Sequence, residues 1–228
     1  MAAIDFAAPC RFRILEPRFM VLRALALAAL VMAPVQAQAA DYLIKLRGIT
    51  VGTLSVKARA GGSGFDYETR FRTTGVAGAV RNVRFVMRSL GAMAGHLPVP
   101  RAYGEQMNTG ARESAASIKF SADDGRWDPN TALVFAFSDR PRAAGCTIKR
   151  TLYDGERTND LSLAEVRRSG AALSCAGSMT RVAGYTAEQM AKRPHHNLSV
   201  DYVLAGDTYR FTGARVQTDY GSVTITPR

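Results

Sequence analysis

Three cysteines, three histidines and one tryptophan are all that this 228-residue chain holds of those types. So small a stock excludes zinc-ribbon arrays and iron–sulfur frameworks, which need clustered ligands at fixed spacing. His195 and His196 are neighbours and would point to opposite faces of a strand, while His96 lies far away in sequence. No H-x-x-x-H or C-x-x-C spacing exists, so no metal site and no cofactor are expected. The histidine pair, beside Lys192, Arg193 and Pro194, is expected to face solvent.

Catalytic motifs are missing as well. No G-x-S-x-G elbow occurs. Gly61-Gly62-Ser63-Gly64 has no lysine after it and strand-like flanks on both sides, which makes it a hairpin loop, not a phosphate loop. Acids gather at Asp123-Asp124 and around Asp154, Glu156 and Asp160. A glycosidase needs two carboxylates converging across a cleft. Asp123-Asp124-Gly125 reads as a turn, and Asp154 is accounted for by a hairpin. No catalytic residue is assigned, and an enzyme is not expected.

What is present begins with an address. Arg23 precedes an apolar run from Ala24 to Ala33, broken by Pro34 and followed by Ala37-Gln38-Ala39. This is the layout of a secretory signal, with cleavage between Ala39 and Ala40. Ten apolar residues fall short of the roughly 20 that span a bilayer. Met20 is well placed as initiator, which makes residues 1–19 an extension of start-site choice. The rival is a long n-region carrying Arg11, Arg13, Arg18 and Arg23. The domain plan is therefore 1–19 extension, 20–39 signal peptide and 40–228 one β-rich domain. No cysteine follows the small-residue site, so the product is expected in the periplasm without a lipid anchor or transmembrane segment.

The chain carries +11, and the leader contributes four arginines against Asp5 and Glu16, leaving +9. Such a surface favours a lipid headgroup or another anionic envelope component, the plainer alternative being a solvated basic surface, since the basic residues form no dense cluster; export argues against nucleic acid. Cys10 leaves with the leader, so Cys146 and Cys175 remain. In an oxidising compartment an even pair is most simply a disulfide. Two free thiols are the alternative.

Apolar residues make up 47% of the chain, enough for a real core, which rules out intrinsic disorder. Their dominant spacing is two. Phe65, Tyr67, Thr69 and Phe71 alternate with Asp66, Glu68, Arg70 and Arg72, the pattern of an antiparallel strand with one wet face. Tyr42/Ile44/Leu46, Leu54/Val56/Ala58, Ile148/Arg150/Leu152, Leu198/Val200/Tyr202/Leu204, Tyr209/Phe211 and Val223/Ile225 add further strands. Asp154-Gly155 between two such runs predicts a type I′ hairpin turn, and Gly206-Asp207 predicts another hairpin. Short helices are expected after Thr74, from Asp128-Pro129-Asn130 through Phe137, and from Thr186 to Lys192. The fold class is mainly β: a strongly curved antiparallel sheet or partly open barrel of about ten to twelve strands with a few short helices. Its interior, with Phe65, Tyr67, Phe71, Phe85, Tyr202, Tyr209 and Phe211, either fills itself or leaves a cavity.

A set of motifs has the order and spacing of a known exported group. They are Tyr42 with Gly48-Ile49-Thr50-Val51-Gly52, Tyr67 with Thr74-Gly75-Val76-Ala77-Gly78, and Pro98, Pro100 and Tyr103. Cys146, Leu152-Tyr153-Asp154-Gly155-Glu156-Arg157, Asp160-Leu161, Cys175 and Gly184-Tyr185 complete it. Over residues 41–226 the chain resembles the bacterial domain of unknown function 3108. The resemblance implies a periplasmic β-rich protein, supports pairing Cys146 with Cys175, and supplies no catalytic residue. The expected function is non-catalytic binding of a lipid-like or amphipathic ligand in the curved sheet. The alternatives are an envelope assembly scaffold with a filled core and, last, an envelope glycan hydrolase.

Overall fold

The alternation works as a sorting rule in β2 (Ile49–Gly61) and β3 (Gly64–Thr73). Leu54, Val56 and Ala58 are buried, as are Phe65, Tyr67 and Thr69, while Lys57, Arg59 and Arg70 are exposed. Cross-strand register pairs Ala58 with Tyr67 and Val56 with Thr69, so the apolar sets of both strands share one face. A one-residue slip would turn all of them outward.

The computed structural model describes residues 36–61 and 63–228. The expected leader lies outside the described residues except for its last four, Gln36–Ala39, which open β1 (Gln36–Leu46). Ala39 and Ala40, the expected cleavage pair, sit within β1 opposite Lys57 and Val56 of β2.

After β3 come β4 (Arg84–Ala94), β5 (Leu97–Asn108), β6 (Glu113–Lys119) and the two-residue β7 (Arg140–Pro141). Then follow β8 (Ile148–Tyr153), β9 (Thr158–Ser169), β10 (Ala172–Ala183), β11 (His195–Ala205), β12 (Thr208–Thr218) and β13 (Gly221–Pro227). All belong to one antiparallel sheet, ordered β6-β5-β4-β3-β2-β1-β13-β12-β11-β10-β9-β8, with β7 paired to β12. The first and last strands meet in its middle, Ile44 opposite Ile225.

Among the described residues, three short α-helices, α1 (Gly75–Val80), α2 (Pro129–Phe137) and α3 (Ala187–Lys192), and one 3-10 turn at Arg142–Ala144 interrupt the strands. All three fall where the sequence predicts them. Thr186 caps α3 in a reciprocal capping box with Gln189.

The helix α2 shows that the sheet is curved. Laid flat, β5 and β8 would be ten strand spacings, about 48 Å, apart. Yet α2, about 14 Å long, touches β3, β4, β5, β8 and β12. The sheet therefore wraps around the helix without closing. Trp127 links the two edges by a parallel bridge to Leu152, its N–H donating to the Thr151 carbonyl at 2.9 Å. Arg126 stacks on the Tyr153 ring at 4.4 Å. Bulges supply the bend. Two of them coincide with Gly52 and Gly91, where the rings of Phe71 and Phe65 occupy the space a Cβ would need.

Strand direction gives the wrapped sheet two ends. One carries the Arg47–Gly48 turn, α1, the β5–β6 turn and the β12–β13 turn. The other carries the β4–β5 turn at Gly95–His96, the β11–β12 turn at Gly206–Asp207, and β7.

Cys146 and Cys175 form a disulfide with Cα atoms 6.3 Å apart, joining the approach to β8 to β10 across β9. Two local expectations are corrected. Asp154-Gly155 is not a two-residue type I′ turn. Strand pairing ends at Tyr153–Thr158, only Gly155 has positive φ, and the Asp154 carboxylate accepts from the N–H groups of Glu156 and Arg157. The side chain thus closes the loop together with one backbone bond, from the Asp154 N–H to the Arg157 carbonyl at 3.3 Å. His196 does not face solvent: it is buried, with Nδ1 3.0 Å from the Gln217 carbonyl oxygen, and of the adjacent pair His195 alone is exposed.

Candidate functional site

Everything in the interior is arranged about α2. Past its first three residues the helix is Ala-Leu-Val-Phe-Ala-Phe, apolar on every face, and such a helix belongs inside a protein. Val134, Ala136 and Phe137 join Tyr42, Leu54, Tyr202 and Phe211 in the main core. The lumen is therefore largely filled by the chain itself.

Two ionisable side chains bracket this helix. Asp128, fully buried, is its N-cap. One carboxylate oxygen accepts from the Thr131 N–H at 2.8 Å and the Ser89 hydroxyl at 2.6 Å, and the other from the Thr131 hydroxyl at 2.6 Å. Asn130 ties the node to β3 and β4 by donating to the Tyr67 carbonyl and to Ser89 Oγ. Burial pushes the Asp128 carboxyl above the usual carboxylate range, and these hydrogen bonds oppose the shift.

Arg140 lies just beyond the other end of α2, 6% exposed. Its guanidinium is 4.7 Å from the Phe135 ring centre and 4.6 Å from that of Tyr202. It donates to the Gly145 carbonyl at 3.0 Å and to the Phe135 carbonyl, a last-turn acceptor of α2. A cation suits that end of a helix. Among the described residues, however, no carboxylate pairs with Arg140, and its buried Nε has no partner. The carboxylate of the adjacent Asp139 is taken by Arg210 at 2.9 Å and by the Phe211 N–H at 3.1 Å. Burial depresses the Arg140 pKa. A desolvated, unpaired charge of this kind costs several kcal/mol unless a counter-ion meets it.

Arg140 borders a cavity of about 320 Å³ at the β7 end of the sheet. Ala58, Ala60, Tyr67, Met93, Leu97 and Phe135 make its apolar wall, and Gln38, His96 and Asp139 stand with Arg140 on the polar side. Burial raises the Tyr67 hydroxyl to about 12, so it is a neutral phenol at physiological pH. Ligand pockets usually measure about 300–1,000 Å³ and join apolar walls to a few polar groups. This cavity has that make-up at the small end of the range.

Of the other singled-out residues, Asp154 and Glu156 line one pocket with Glu105, and each remaining acid has a local partner. Asp124 pairs with Arg126 at 2.7 Å, Asp154 closes its own turn, and Asp160 accepts from Thr151. Among the described residues, no group of three or more histidine, cysteine or acidic side chains is arranged to hold a metal ion. No helix among them is long and apolar enough to cross a membrane. Sequence reasoning missed Arg140. The available signal was an arginine with a proline behind it, three residues past the apolar run Ala132–Phe137.

Comparisons with known proteins return nothing: no family model, no curated protein and no solved structure matches the chain. The likeness to domain of unknown function 3108 rests on its motifs alone.

Proposed function

We propose that this is a non-catalytic periplasmic envelope protein that holds a small anionic amphipath in the cavity beside Arg140. The observation that carries this reading is a buried guanidinium with no carboxylate partner, bordering an apolar cavity. The apolar wall would take a hydrocarbon tail, and Arg140 would meet a carboxylate or similar head, supplying the counter-charge its burial lacks. The disulfide is consistent with an oxidising compartment.

Displacement of a fluorescent anionic amphipath, anilinonaphthalene sulfonate, by fatty acids tests the reading. Binding is expected in the wild type and at least tenfold weaker in Arg140→Met, a loss of about 1.4 kcal/mol or more. Equal affinity in both proteins, or no binding to folded wild type, would remove it.

A further inference from the structure

The end of the sheet away from the cavity has a different chemistry. Its tips carry the four most exposed large apolar side chains described: Val80 at 82%, Val76 at 80%, Tyr220 at 77% and Ile49 at 70%. They come from three separate connections that the topology brings together. Pairing of β1 with β13 sets the Arg47–Gly48 turn beside the β12–β13 turn, where the Arg47 N–H donates to the Ser222 carbonyl at 2.9 Å. The Thr74 N–H donates to the Val51 carbonyl at 3.1 Å and seats α1 against the strand that begins at Ile49. The helix itself is Gly-Val-Ala-Gly-Ala-Val, has no buried residue, and presents Val76 and Val80 four apart on one face.

Cations stand among these tips. Arg47, Arg81, Arg84 and Arg112 are exposed, and among the described residues none has an acidic partner. Of the acids at this end, Asp219 is paired with Arg181 and Arg193, and Glu113 accepts from the Asn108 amide, while Glu105, Asp154 and Glu156 line a pocket with Arg112 without forming an ion pair to it. Arg47 holds φ at 50°, a left-handed value unusual for an arginine, and its side chain lies over Gly221 next to Tyr220. Such local strain gathers where a side chain's position serves a purpose.

We propose that this end docks on an anionic lipid bilayer surface. The apolar tips would enter the boundary between headgroups and acyl chains, with the four guanidiniums at the level of the phosphates. A protein partner is the less favoured occupant, because exposed apolar tips interspersed with four cations that have no acidic partner among the described residues match the layered chemistry of an anionic bilayer surface. Docked this way, the molecule keeps the Arg140 cavity facing away from the membrane. The inference is independent of what that cavity holds.

The test uses the full chain with Val80→Trp and vesicles of brominated phosphatidylcholine containing about 30 mol % phosphatidylglycerol. The natural Trp127 is 3% exposed and provides the baseline in the unsubstituted protein. Expected is quenching of the Val80→Trp signal beyond that baseline, with affinity falling at least tenfold when Arg81→Glu and Arg84→Glu are added. Salt of about 0.5 M should weaken it similarly. All these positions are exposed, and an unchanged thermal melt confirms that each variant folds. No added quenching, equal quenching by vesicles lacking phosphatidylglycerol, or indifference to the arginine changes would overturn the proposal. So would burial of Val80→Trp by a stoichiometric protein partner with vesicles left unbound.

Discussion

Asp128 and Arg140 stand at the two ends of the same buried helix, carry opposite charges, and each complements the helix dipole at its own end. Their surroundings differ. Every acceptor position Asp128 uses is met by a donor from Ser89 or Thr131. Arg140 keeps a buried Nε with no partner, and the residue borders open volume. Burial alone therefore does not mark a site. A satisfied buried charge fastens the helix in place, whereas an unsatisfied one next to a cavity is an invitation to a ligand.

The largest effect expected on this contrast comes from opening the disulfide, which anchors the segment carrying Arg140. Cys146→Ala with Cys175→Ala frees a 29-residue separation and should cost about 3–4 kcal/mol in denaturant unfolding. Next, Asp128→Ala removes the cap and strands the donors of Ser89 and Thr131, for about 2–3 kcal/mol by the same measurement.

A smaller effect is one of slope. Because burial raises the folded-state pKa of Asp128, the native protein binds its proton more tightly than the unfolded chain does. Stability from this source is present below the unfolded carboxyl range and declines as pH rises through the folded value. Denaturation midpoints measured from acid to neutral pH should therefore fall less steeply in Asp128→Asn than in wild type. The smallest change in stability is expected at Arg140. Replacing it by Met loses two carbonyl contacts but also relieves an uncompensated charge, leaving stability within about 1 kcal/mol. A loss there as large as that of Asp128→Ala would erase the distinction between fastener and site.

Much of the architecture was legible because burial on one face of a strand writes itself as alternation. Phe65 to Arg72 showed it without interruption, and Asp128-Pro129 marked the start of α2. The strands β5 and β6 were not anticipated. β5 mixes Pro98, Pro100 and Gly104 into its run, and β6 is an edge strand with no buried residue, so neither carries a strong period-two signal. The candidate site was less legible still. Arg140 looks like any surface arginine in a chain rich in them, and its burial between Phe135 and Tyr202 depends on two elements more than sixty residues apart in sequence. Unpaired charge is a property of three-dimensional surroundings, and no local pattern encodes it.

The junction of β1 with β13 sets a timetable for assembly. Strands to either side of it can pair with sequence neighbours, but the seam between them needs Tyr42–Leu46 to find Val223–Pro227, partners at opposite extremes of the chain. Contacts this remote form slowly, because a long loop must close first. Until Gly221–Pro227 docks on β1, no strand ladder joins the two arms of the sheet.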